Sequence, residues 1–171
     1  MRQFSAIFLW FVSAVVLCAQ PYTPGQTYFG ANNYIEYQAG DCPIIISAPH
    51  GGSLTPGSIP NRVNGTYNGV TYTDITTVTD SNTVDLARKC AAEIYARSGK
   101  RPHVVICLLA RTKLDANREI GEAALGNALA EQAWHDYHGF IAAARAAAEA
   151  EFGFSYIVDL HGHGHSIQRL E

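Results

Sequence analysis

The chain has 171 residues, with 12 Lys+Arg against 15 Asp+Glu and a formal net charge of −3. That bias is too weak to mark nucleic acid or an anionic membrane as a partner. Apolar residues at 47% and charged residues at 16% fit a globular domain and exclude a disordered chain, a collagen, a coiled coil or a multi-span membrane protein.

The chain opens with Met1-Arg2-Gln3, an apolar run from Phe4 to Leu17, then Cys18-Ala19-Gln20. A basic start, a short apolar core and small residues at the exit predict a secretory signal peptide over residues 1–19, and so a secreted protein with no membrane partner after its removal. Cys18 leaves with the signal, and Cys42, Cys90 and Cys107 remain. In an oxidising compartment that count suits one disulfide and one free thiol. Cys107 lies in an apolar stretch, so Cys42 with Cys90 is the pair to test. Asn64-Gly65-Thr66 is a glycosylation sequon, suited to a surface loop.

Residues Tyr34 to Tyr37 form a candidate short strand, and Pro43 to Ser47 a β-branched buried strand ended by Pro49. Gly51 to Thr73 is rich in Gly, Pro, Asn, Ser and Thr and reads as a long functional or disordered loop. Asn82 to Arg97 carries apolar residues at helical spacing and is stopped by Ser98-Gly99. His103 to Leu109 is a second buried strand. Ala123 to Phe152 is Ala-rich and helical, with a break expected near Gly139, and Phe154 to Leu160 is a third buried strand. Apolar strands alternating with helices predict an α/β fold: a mostly parallel or mixed sheet with helices on both faces.

In such sheets ligands collect beyond the carboxyl ends of the strands, and each strong strand here runs into polar, reactive residues. The first ends at His50-Gly51-Gly52, the second at Arg111 to Arg118, the third at Asp159-Leu160-His161-Gly162-His163-Gly164-His165. Neutral imidazole ligates zinc, and a carboxylate two residues away can hold its other nitrogen. His50 with His161 is therefore a candidate metal pair, with Asp159 and His163 beside it as supporting groups. A third ligand should be a carboxylate, and Asp74, Asp80 and Asp85 are all near; Asp80 is equally placed to cap the following helix. The planar fork of Arg suits a substrate carboxylate, with Asn adding donors.

Ser47-Ala48-Pro49-His50-Gly51-Gly52, then Arg111 with Asp115-Ala116-Asn117-Arg118, then Asp159-Leu160-His161-Gly162-His163 together resemble the N-formylglutamate amidohydrolase family. That family shares the zinc exopeptidase-like fold of carboxypeptidases and aspartoacylase. The resemblance spans roughly residues 44 to 169. It implies a mononuclear zinc hydrolase of amide bonds acting on an N-acylated amino acid such as N-formylglutamate, a small carboxylate-bearing substrate. It assigns zinc to His50, Asp80 and His161, and the substrate carboxylate to Asn117 and Arg118; Arg111 is placed to stabilise the developing oxyanion. The chain departs from the pattern at Ser53, where the wider fold has Glu three residues after its first histidine. It also ends at Glu171, before the late Glu that acts as general base in the wider fold. Residues 20–171 are accordingly expected to be the front part of the amidohydrolase domain, with an incomplete sheet. The rival readings are a catalytically inactive metal- or ligand-binding homologue and a zinc exopeptidase acting on peptides.

Overall fold

The computed structural model describes residues 22–162. The expected signal peptide, Cys18, His163, His165 and Glu171 lie outside the described residues. In chain order the strands are β1 (Thr27–Phe29), β2 (Ile35–Gln38), β3 (Ile44–Ala48), β4 (Gly65–Tyr67), β5 (Val70–Tyr72), β6 (His103–Cys107) and β7 (Tyr156–Asp159). The helices are α1 (Thr83–Ser98), α2 (Ile120–Ala124) and α3 (Ala128–Phe152).

Five strands form one mixed sheet in the order β1-β2-β6-β3-β7. The β-branched runs of β3 and β6 lie side by side in parallel at its centre, where both faces are covered. β7 adds in parallel to β3, while β2 and β1 join on the other side antiparallel. Side-chain alternation divides the core in two. Ile45, Val105 and Cys107 face Tyr137, Phe140 and the buried alanines of α3. Ile46, Val104 and Ile106 face Ala87 and Ala91 of α1 on the opposite side.

Several expectations need correction. The first strand is preceded by β1, too short for any periodicity to reveal. The alanine-rich segment is broken at Leu125 and Gly126, both at positive φ, not at Gly139. Asn127 restarts the helix by accepting the amides of Leu129 and Ala130, each at 3.1 Å. A Cβ at Gly139 would meet nothing within 4 Å, so this glycine sits on an open helix face and costs propensity without forcing a kink. β7 is not buried: Tyr156, Ile157 and Val158 are exposed, because among the described residues β7 lies at the sheet edge and pairs on one side only, with β3. Cys42, Cys90 and Cys107 are all free, so no Cys42–Cys90 bridge forms.

The long loop is ordered and contains the β4–β5 hairpin, closed by Asn68-Gly69 with both φ positive, the geometry a two-residue hairpin turn needs. Buried Arg62 bolts the loop down by donating to the carbonyls of Thr76, Arg111 and Glu122. Lys113 Nζ donates to Ile59 O at 2.6 Å. Among the described residues no helix is long and apolar enough to cross a membrane.

Candidate metal centre

β3, β6 and β7 run parallel, so their carboxyl ends share one edge of the sheet, and the residues that follow them meet there. His50 follows β3 and is 2% exposed. The two glycines after it are required by close packing. A Cβ on Gly51 would lie 2.3 Å from Thr83 Oγ1, and one on Gly52 2.3 Å from the Leu108 carbonyl. Asp80 is fixed beside His50 by its backbone, whose amide donates to His50 O at 3.1 Å. Its carbonyl accepts the Thr83 hydroxyl at 2.9 Å. The Asp80 side chain does not cap α1. The N-cap is Asn82, in the left-handed region, with no side-chain cap, and the Asp80 carboxylate turns toward the histidines instead.

One Asp80 oxygen, Oδ2, faces the Nδ1 atoms of both His50 and His161 at 3.3 Å. The two rings stand 5.1 Å apart, centroid to centroid. These three residues offer ligand atoms that all lie within 4.8 Å of one another. Asp74 and Asp85, the other acids in contention, are exposed and outside this group. Burial pushes the Asp80 carboxyl up, but the Gly162 amide and the two imidazoles outweigh it and hold it below its ordinary value.

The outer nitrogens of both rings are committed to carboxylates. His50 Nε2 is 2.6 Å from Asp115 Oδ1, and His161 Nε2 is 2.7 Å from Asp159 Oδ2. In the metal-free protein Asp80 shares protons with these rings; in the tautomer with a proton on each Nε2, both Nδ1 lone pairs are free, and two imidazole nitrogens and a carboxylate oxygen converge as acceptors. This set fits a divalent cation, and its nitrogen and oxygen ligands with carboxylate-backed histidines fit zinc.

Asp115 went unassigned in the sequence because it reads there as one acid in a basic turn. In the fold it is fully buried, with Arg111 Nε at 2.9 Å and Arg62 Nη1 at 3.8 Å. Burial raises its pKa, but the bonds to His50 and Arg111 prevail and bring it down to about 2. Arg111 also stands 3.7 Å from Asp80 Oδ1. Asn117 and Arg118 are exposed at the mouth of the site. Asn117 Nδ2 is 3.4 Å from His161 Nε2, and Arg118 Nε is 3.4 Å from Glu122 Oε1. No protein-family model, curated protein or solved structure matches the chain.

Proposed function

We propose that this chain is a secreted zinc-dependent amidohydrolase with a carboxypeptidase-like fold. Its substrate is an N-acylated amino acid such as N-formylglutamate. The observation that carries the reading is the convergence of His50 Nδ1, Asp80 Oδ2 and His161 Nδ1, with each imidazole backed by its own carboxylate. Zinc bound there supplies Lewis acidity toward an amide carbonyl and toward water. The protein's own part is positioning. Arg118, with a side chain 48% exposed, is free to exchange Glu122 for a substrate carboxylate, and Asn117 adds an amide donor next to His161. Together they place the scissile amide over the cluster. Arg111, beside Asp80, adds fixed positive charge where the carbonyl oxygen becomes negative.

One observation favours a second reading. Asp115 and Asp159 are each bonded to an imidazole and Asp80 is one of the three converging groups, so the base that takes a proton from water comes from outside this set. A metal-binding homologue without turnover has the same three ligands. Metal content and formate release from N-formylglutamate separate the readings. One zinc per chain, lost in His50→Ala, with formate released, supports the enzyme. Zinc bound without turnover supports the inactive homologue. No zinc bound refutes both.

A further inference from the structure

The two histidine arms of the site are supported unequally. Asp115, behind His50, is enclosed, and it accepts from the Arg111 side chain and the Asn117 amide as well as from the ring. Asp159, behind His161, lies on β7, the edge strand among the described residues, with a side chain 35% exposed. Among the described residues its only side-chain partners besides His161 come from one place. Ser47 is its register neighbour on β3, and the Ser47 hydroxyl donates to Asp159 Oδ1 at 2.5 Å. The other oxygen of that carboxylate accepts from His161.

Ser47 is itself buried, at 1% exposure. A serine has one proton, and here it goes to Asp159. A line of side chains therefore runs from buried Ser47 through Asp159 to the exposed ring of His161.

We propose that Ser47 is a positioning residue. It fixes the carboxylate of Asp159 and thereby turns His161 so that Nδ1 faces Asp80. The inference rests on the metal site proposed above. Without the serine hydroxyl, Asp159 sits on an edge strand with solvent on one side and is free to change rotamer. The His161 ring then loses the partner that sets both its tautomer and its angle.

The test is zinc affinity, measured on the full chain by competition with a chromophoric chelator, together with the visible spectrum of the cobalt-substituted protein. Thermal unfolding of the metal-free protein is followed alongside. Ser47→Ala should weaken zinc by about tenfold or more, within the about 10–100-fold range for residues supporting a ligand, and should alter the cobalt spectrum. Ser47→Thr, which keeps the hydroxyl, should restore both. In an Asp159→Ala background, Ser47→Ala should change affinity no further, because its route to His161 is already cut. Parent-like affinity in Ser47→Ala, or an undiminished loss in the Asp159→Ala background, overturns the proposal while leaving the metal site standing. If His50→Ala leaves zinc binding intact, the metal lies elsewhere and the site reading fails, taking this inference with it.

Discussion

Replacing Asp115 by Asn keeps the shape of the side chain and removes the charge at the most enclosed point of the site. The native carboxylate is met by donors alone. His50 Nε2 is at 2.6 Å and the Asn117 amide at 3.2 Å on one oxygen, with Arg111 Nε at 2.9 Å on the other. An amide presents one oxygen and one N–H₂ group, so whichever way it turns, either His50 or Arg111 faces a donor. Removing one partner of a buried ion pair typically costs about 3–5 kcal/mol. Arg111 and Arg118 reach solvent on one side, which screens part of that loss, so about 2–4 kcal/mol is expected. For a domain of this size that lowers the melting temperature by about 5–15 °C.

Urea unfolding of metal-free parent and variant at neutral pH measures the difference, and repeating it in acid tests the cause. The Asp115 carboxyl is lowered from 3.8 to about 2 on folding. Its contribution is therefore fully present above about pH 4 and is lost as pH falls through about 2. The variant lacks this group, so the gap between parent and variant should narrow over that window. A neutral-pH difference below about 1 kcal/mol, or a gap that does not change with pH, would refute the account of Asp115 as a charge held by His50 and Arg111.

Gly52→Ala forces a Cβ to 2.3 Å from the Leu108 carbonyl, whereas at Gly57 a Cβ meets nothing within 4 Å. Thermal melts should show a loss above about 2 kcal/mol for the first and within about 0.5 kcal/mol for the second, and equal effects would contradict the packing argument. His103 is buried, and its Nδ1 accepts the Gly40 amide at 3.0 Å and bonds the Tyr37 hydroxyl at 2.9 Å. Burial lowers its pKa from 6.5, so its share of stability is present above pH 6.5 and is lost as pH drops below it. His103→Gln should flatten the dependence of unfolding free energy on pH between about 7 and 5, and an unchanged slope would count against it. Arg118→Lys should raise KM for a carboxylate-bearing substrate while zinc stays bound, because Lys keeps the charge and loses the two-pronged geometry. An unchanged KM would leave Arg118 as a surface ion pair with Glu122.

His50 and His161 were legible because each ends an apolar run and is followed by glycine, a local pattern that survives folding. The strand–helix alternation was legible for the same reason in β3, α1 and β6. Asp80 was not separable from Asp74 and Asp85 by spacing. What selects it is a backbone bond to His50 across 30 residues, and no periodicity encodes that. Asp115 was hidden in the same way, since its partner lies 65 residues earlier. The error at β7 has a different origin. Tyr156-Ile157-Val158 has the composition of a buried strand, and apolarity was read as burial. Composition reports what a strand can bury, whereas its place in the strand order decides what is buried against it.

The same strand order governs how the site is held. His50, on the central pair of strands, has its ring fixed by an enclosed carboxylate and by the packing of Gly51 and Gly52 against α1 and β6. His161, two residues beyond the edge strand, has a side chain 38% exposed and depends on hydrogen bonds to hold its angle. In the proposed metal site His50 and Asp80 thus form a preorganised pair whose ordering entropy is already met by the core, and His161 is the candidate ligand whose ordering would still oppose binding. A cation there would meet the rigid pair first and gain the third bond from a ring held only by its hydrogen bonds to Asp159 and Asp80. Affinity in such an arrangement is set at the exposed arm. Interactions that stiffen β7 and the carboxylate of Asp159 therefore bear on metal retention more than any change on the His50 side that leaves Asp115 in place.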